Sequence, residues 1–225
     1  MEIVRVLFVF MDLLIRRENR ILTRDRFGTG SVYGEKLEAV GGGDYREWIP
    51  WRSKMGALLK KREEMEFPKG DVLYLGAAQG TTVSHISDLL PHNMIYAVEF
   101  SPVAFRKLAS TSRKRNNLVP VLADAFHPER YRSMVPAVDI IYQDVSQKDQ
   151  VGMLLRNAEQ FLKNEGTAIL MLKARSVDVT MEPSRIYERA VSELKKGGMK
   201  IELLEDLSPF QADHAAIMMR YMRQQ

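Results

Sequence analysis

The sequence predicts an α/β protein, a doubly wound and mainly parallel sheet of seven strands preceded by a small β-rich unit. Three observations carry this expectation. Short apolar runs at 71–75, 94–99, 119–122, 138–143, 167–172, 199–204 and 215–222 alternate with amphipathic segments, the pattern of strands joined by helices that cover both faces of one sheet. The first run, Val72-Leu73-Tyr74-Leu75, breaks directly into Gly76-Ala77-Ala78-Gln79-Gly80, a strand-to-helix turn of the kind at which open α/β sheets bind ligands. The first 50 residues are punctuated by Gly28, Gly30, Gly34 and Gly41 to Gly43, as a small β unit with frequent turns would be.

Taken in order, the apolar opening from Ile3 to Ile15 is interrupted by Arg5 and Asp12 and is followed by no small-residue cleavage site. It falls short of the roughly 20 residues that a bilayer span requires, and reads as strand. Strands are expected at 3–10 and 20–24, separated by the polar Arg16-Arg17-Glu18-Asn19. From Ser53 the period changes: Met55, Leu58 and Leu59 share one face of a helix that Ser53 caps and that ends before Pro68-Lys69-Gly70. This divides the chain into a β-rich domain over 1–52 and a second domain over 53–225. Ser101-Pro102 starts a further helix, with an N-cap followed by Pro at the first helical position. Gly197-Gly198 ends the helix carrying Tyr187, Val191 and Leu194 and introduces the strand at 199.

With 225 residues the chain has room for one to two domains, and 45% apolar with 28% charged residues is ordinary globular composition. A net charge of +4 is compatible with an anionic partner without requiring one. The absence of Cys excludes disulfides, zinc–thiolate sites and a thiol nucleophile, and suits a reducing cytosol.

The glycine turn and Glu99, which follows Gly76 by 23 residues, outline a nucleotide-type pocket in which the acid takes ribose hydroxyls. A dinucleotide would call for Gly-x-Gly-x-x-Gly. Ala77, Ala78 and Gln79 occupy the middle of this turn, which favours a ligand without phosphates, S-adenosylmethionine (SAM). Four polar residues, Lys54, Asp144, Lys173 and His214, sit at strand or helix ends where a core would not place them, and all are expected to face the cofactor crevice. Lys54 stands at the start of a helix, where the dipole disfavours a cation, so it needs an anion, for which Asp144 is the candidate. Each has a plainer reading as well. The lysines suit solvated termini, Asp144 a helix cap, and His214 a satisfied loop histidine; Thr81 and Thr82 suit simple N-caps. It is the combination that points to a site.

Tyr-Leu-Gly-Ala-Ala-Gln-Gly-Thr-Thr (74–82), Tyr-Ala-Val-Glu-Phe (96–100), Ile-Ile-Tyr-Gln-Asp-Val-Ser-Gln (140–147), Lys-Ala-Arg-Ser-Val-Asp-Val-Thr (173–180) and Pro-Phe-Gln-Ala-Asp-His (209–214) resemble the archaeal fibrillarins. Tyr45-Arg46-Glu47-Trp48 and the stretch from Arg52 to Ala57 extend the similarity upstream, so that it covers nearly the whole chain. The resemblance implies the Rossmann-like SAM-dependent methyltransferase fold, with its final strand inserted antiparallel. It implies SAM held at the Gly76-Ala77 turn and by Thr81, Thr82, Glu99, Phe100, Asp124, Ala125, Asp144, Val145, Ser146 and Gln147. It further implies methylation of the ribose 2′-hydroxyl of rRNA or tRNA, in pre-rRNA and tRNA processing, through a tetrad of Lys54, Asp144, Lys173 and His214. The target nucleotide is then chosen by a box C/D guide RNA, a Nop-domain scaffold protein and a kink-turn-binding ribosomal-type protein dock the enzyme, and the compartment is the cytoplasm, with no membrane association.

The chemistry of the residue types agrees with these roles. Glu99 can accept both ribose hydroxyls, Phe100 can lie on an adenine face, and Asp124 can accept an adenine amino group. An ordinary lysine is protonated at neutral pH, so Lys173, the expected activating group, needs desolvation and a neighbouring cation such as Lys54. Three other readings compete: a non-enzymatic RNA-binding module with a vestigial pocket, a stand-alone methyltransferase, and an NAD-dependent dehydrogenase, the last weakened by the alanine-filled turn. For the RNA-binding reading, Arg106, Lys107, Arg113, Lys114 and Arg115 form an acid-free run that either grips phosphates or is a solvated helix face.

Overall fold

The computed structural model describes residues 13–223. The expected strand at 3–10 lies outside these residues. Four short strands, β1 Leu14–Arg17, β2 Arg20–Arg24, β3 Leu37–Val40 and β4 Gly43–Glu47, form an antiparallel sheet in the order β1-β2-β4-β3. Only β2 was expected at its observed place; β3 is too short and β4 too polar to show an apolar period. Glu18 and Asn19, both at positive φ, make the turn between β1 and β2, as a tight hairpin with right-handed strand twist requires.

Helix α1, Lys54–Lys61, leads into the main sheet. Its elements are β5 Val72–Leu75, α2 Thr81–Leu89, β6 Ile95–Glu99, α3 Pro102–Ser112, β7 Leu118–Leu122, β8 Val138–Gln143, α4 Gln150–Phe161, β9 Leu162–Lys173, the short α5 Ala174–Val177, α6 Pro183–Lys196, β10 Met199–Asp206 and β11 His214–Tyr221. The strand order is β10-β11-β9-β8-β5-β6-β7, with β11 antiparallel to both of its neighbours and β5, β6, β7, β8 and β9 parallel. All seven expected strands are present. β9 begins five residues earlier than expected, because Leu162 already pairs with Val138 before an irregular stretch that resumes at Thr167. The polar Lys163-Asn164-Glu165-Gly166 conceals that start in the sequence.

Alternation along each strand feeds two cores. Leu73, Leu75 and Ile141 pack with Leu154 of α4 and Ile186 of α6 on one face. Val72, Tyr74, Ile140 and Tyr142 pack with α1, α2 and α3 on the other, where Ile21 and Trp48 of the small sheet join them. No helix among the described residues is long and apolar enough to cross a membrane.

The small sheet is fastened to α2 by buried polar groups. Arg46 donates to Glu35 (2.7 Å), Asp88 (2.6 Å) and Ser84 (2.8 Å), and Arg115 donates to the other oxygen of Asp88 (2.7 Å). All four charged side chains are fully buried, and two cations balance two anions. Arg115 is therefore withdrawn from the basic run that was a candidate phosphate grip. Beside this cluster, His85 stacks on Trp48 at 4.7 Å and bonds Thr23 at 2.6 Å through Nδ1 and Tyr33 at 2.8 Å through Nε2. The Tyr33 hydroxyl donates its one proton to Glu47 O, so Nε2 carries the imidazole hydrogen and Nδ1 accepts from Thr23.

Burial first, then Arg46 and Arg115, hold His85 well below the ordinary histidine value of 6.5. The unfolded chain thus binds the extra proton. The stability that neutral His85 contributes is complete above about pH 6.5 and is lost as the pH falls, by up to about 1.4 kcal/mol per pH unit. Denaturant titrations between pH 7.5 and 5 are expected to show this increment in the wild type, and a His85→Gln chain is expected to lack it.

Candidate active site

Strands β5 and β8 run side by side, and their connections depart on opposite sides of the pair, to β6 and to β9. A crevice opens between strands where the order reverses in this way. At its floor Gly76 has φ +83°, and a Cβ built there would lie 2.5 Å from the carbonyl oxygen of Asp144. Only glycine meets both demands. Gly80, at φ +99°, is the N-cap of α2 and supplies no side chain, so neither Thr81 nor Thr82 is the cap. The Thr82 hydroxyl instead bonds Ser53 at 3.0 Å. Ser53 caps α1 by accepting from Gly56 N at 3.2 Å.

The crevice is a cleft of about 240 Å³ lined by Gly76, Glu99, Phe100, Asp124, Ala125, Asp144, Val145, Ser146 and Gln147 from the expected set. Ala78, Val98, Ala123 and Met153 complete the lining; they are apolar wall residues that no polar motif signals. Three expected residues are placed elsewhere. Ala77 is buried behind the turn, Thr82 is buried against Ser53, and Thr81 lines a neighbouring cleft. The Glu99 carboxylate is fixed at both oxygens, by Ala78 N and by Ser101 N, each at 2.7 Å. Each oxygen retains acceptor capacity toward the cleft. Phe100 is 69% exposed at the mouth, a large apolar face without a protein partner to cover it. Asp124 Oδ1 accepts from Phe126 N at 2.9 Å. An acid with spare lone pairs, an uncovered aromatic face and a small-residue floor fit an adenosyl group.

Beside this cleft Asp144 is joined by the three remaining candidates, Lys54, Lys173 and His214. Lys54 Nζ donates to Asp144 Oδ1 at 2.6 Å, which supplies the anion that a cation at a helix start requires. Asp149, not Asp144, caps the next helix. His214 opens β11 directly opposite Lys173, the last residue of β9, and its Nδ1 donates to Ala212 O at 2.6 Å. Burial lowers the His214 pKa, and the charges of Lys54 and Lys173 push in the same direction, against Ala212 O and Asp144. All four side chains therefore act within one electrostatic neighbourhood.

Comparison with known proteins follows this geometry. The fibrillarin family model matches residues 4–223. The chain belongs to the fibrillarin family. The fibrillarin-like rRNA/tRNA 2′-O-methyltransferase of Archaeoglobus fulgidus is 43% identical over 218 residues, 96% of this chain and 97% of that one. Among solved structures, Aeropyrum pernix fibrillarin with natively bound S-adenosyl-L-methionine is 42% identical at a TM-score of 0.82, covering 92% of each chain. A fibrillarin/Nop5p complex is also 42% identical, at a TM-score of 0.85, covering 94% of this chain and 98% of that one. The fold is that of these SAM-dependent methyltransferases.

One polar residue that the sequence left unmarked holds the site together. Gln150, buried at the start of α4, accepts from Lys173 N and donates to Lys173 O, both at 3.0 Å. Gln143, which precedes Asp144, donates to Gln150 O at 2.7 Å. The strand ends that carry Lys173 and Asp144 are thus tied through a single residue, Gln150, by its side chain to one and by its backbone carbonyl to the other. Replacing Gln150 with Ala leaves the Lys173 peptide without its side-chain partners, and is expected to cost about 1–3 kcal/mol of stability. Urea denaturation measures the cost as a lower midpoint at unchanged slope.

Proposed function

We propose that this chain transfers a methyl group from SAM to ribose 2′-hydroxyls of rRNA or tRNA, at positions selected by a box C/D guide RNA. The observation that carries this reading is the convergence of Lys54, Asp144, Lys173 and His214 on the rim of a cleft whose Glu99 and Phe100 suit an adenosyl group. SAM supplies an electrophilic methyl group on a sulfonium. Glu99, Asp124 and Phe100 hold and orient it. Lys173 polarises or deprotonates the attacking hydroxyl, the Lys54–Asp144 pair positions the site, and His214 contacts the substrate or the Lys173 side chain. Much of the rate comes from holding nucleophile and electrophile in line.

The rRNA/tRNA 2′-O-methyltransferase relative, the fibrillarin with natively bound SAM and the fibrillarin/Nop5p complex support the substrate class, the cofactor and a Nop-type scaffold partner. A kink-turn-binding protein and the guide RNA complete the proposed assembly, which works in the cytoplasm. Residues 1–52 serve in it as a β-rich unit attached to the methyl-transferring domain, 53–225. Glu99 and Gln150, each held by two hydrogen bonds to backbone, argue against a vestigial pocket.

Glu99→Ala is expected to weaken SAM at least about tenfold, since charge-assisted hydrogen bonds contribute about 1.5–3 kcal/mol. Calorimetry reads the change, with Glu99→Gln as the milder variant that preserves packing. Unchanged binding in a folded variant would remove Glu99 from the site.

Lys173→Ala is expected to abolish turnover while SAM affinity stays within a few-fold, because its interaction belongs to the transition state. The assay is single-turnover transfer of labelled methyl to a guide-matched RNA in the assembled complex. Resistance to alkaline cleavage, which needs a free 2′-hydroxyl, locates the product. A methyl group that appears on a base, or that stays in place when the guide is changed, would refute guided ribose methylation.

A further inference from the structure

A second cleft, of about 490 Å³, lies on the other side of the α2 N-terminus. The two clefts share one turn: Gly76 and Ala78 line the first, and Gln79 and Thr81 line the second. Arg52, Lys107 and Lys114 contribute its cations, Ser110 and Thr111 add hydroxyls, and no carboxylate among the described residues lines it. Lys107, Ser110, Thr111 and Lys114 recur at the i, i+3, i+4, i+7 spacing that places them on one side of α3 and its continuation.

Several surface cations are neutralised by a carboxylate of the chain. Lys61 and Arg62 pair with Glu205, Lys163 with Asp139, Arg175 with Asp213 and Arg220 with Glu202. Arg52, Lys107 and Lys114 form no ion pair among the described residues. Arg52 donates to Tyr33 O at 3.0 Å, and Lys107 donates to Gln79 Oε1 at 3.3 Å. Both contacts are with neutral oxygens. Three cations converge with no internal anion, at the positive end of a helix dipole, so the cleft suits an anion from outside. Arg52 is separated from Lys54 by one residue, so that anion would lie next to the tetrad.

We propose that this cleft is a phosphodiester subsite, in which Arg52, Lys107 and Lys114 hold the backbone of the RNA strand flanking the reactive ribose. The inference rests on the RNA-methylating function above. Contacts of this kind fix the register of a strand and carry no base information. Of the basic run seen in the sequence, the subsite uses Lys107 and Lys114; Arg115 is buried, and Arg106 and Arg113 lie outside the lining.

The test uses the full chain and a labelled single-stranded RNA oligomer, with Kd measured by anisotropy over a series of KCl concentrations. Lys107→Ala/Lys114→Ala is compared with the wild type and with Lys195→Ala/Lys200→Ala, which removes two exposed cations elsewhere. Loss of two phosphate contacts should lower the slope of log K against log salt by about 1.4, at about 0.7 per contact on single strands. The same loss is expected for unrelated RNA sequences, with SAM affinity unchanged. The control variant should keep the wild-type slope.

Three results of the binding comparison would overturn the assignment. One is an unchanged slope in the Lys107/Lys114 variant. Another is an equal fall in the control, which would mean diffuse attraction. The third is loss of scaffold-protein binding without loss of RNA, which would give the cleft to a protein partner. Inorganic phosphate serves as a further arm: if it protects the cleft lysines from acetylation where the RNA oligomer does not, the cleft is a small-anion site and the proposal falls. Ribose methylation by the wild-type assembly is read separately. If it fails, the function is wrong; if it succeeds while the slope is unchanged in the cleft variant, only the subsite is wrong.

Discussion

The crowding between Gly76 and the Asp144 carbonyl is the constraint on which the site depends. β5 and β8 are in parallel register up to Leu75 and Gln143, and Asp144 N still donates to Leu75 O at 2.9 Å. Past that bond the two chains part to opposite sides of the sheet. A side chain at 76 would separate them one residue too early and displace Asp144, the residue that receives Lys54. The glycine turn is therefore needed at a site without phosphates for a reason different from its role in dinucleotide folds. Its closest neighbour is the protein's own backbone, and the open side of the turn is free to face a ligand.

Lys54 reaches Asp144 from outside the main sheet, and its placement depends on the N-terminal unit. Trp48 Nε1 donates to Ser53 Oγ at 2.8 Å, and the same oxygen caps α1 and bonds Thr82. Trp48 in turn stacks on His85, within the buried cluster of Arg46, Glu35, Asp88 and Arg115. Buried ion pairs of this type contribute little net stability compared with apolar packing, whereas loss of one partner is costly. Arg46 reaches Glu35, Ser84 and Asp88 together in only one seating of the small sheet on α2. That seating sets where α1 begins and which residue lies across from Asp144.

Strand periodicity and the Gly76 turn were readable because both are local. A buried strand must be continuously apolar, and a reversed chain must have a residue that tolerates positive φ. The tetrad was readable in part, as polar residues at element ends together with a family resemblance, and the partner of Lys54 followed from the helix dipole. Elements defined by pairing were hidden. Leu37–Val40 and Gly43–Glu47 are strands because they pair with each other and the second also with β2, and nothing in four or five residues shows that. Charge was the least legible property: in sequence Arg115 looks like its neighbours Arg113 and Lys114, yet it is 1% exposed and bound to Asp88. Gln150 was missed for a related reason, since its partners are backbone groups of a strand far along the chain.

The hydrogen-bonding groups of Lys54, Asp144, Lys173 and His214 are complementary. Lys54 and Lys173 supply donors, and Asp144 is an acceptor engaged by Lys54. A third cation at His214 would be repelled by both lysines and penalised by burial, and these effects favour the neutral ring. In the neutral ring the Nδ1 hydrogen is spent on Ala212 O, so Nε2 is left as an acceptor. A sugar hydroxyl both donates and accepts, and in this set the neutral imidazole Nε2 adds an uncharged acceptor to the carboxylate of Asp144. The carbonyl at Ala212, by fixing the imidazole tautomer, thus determines which hydrogen bonds a hydroxyl can make beside Lys173.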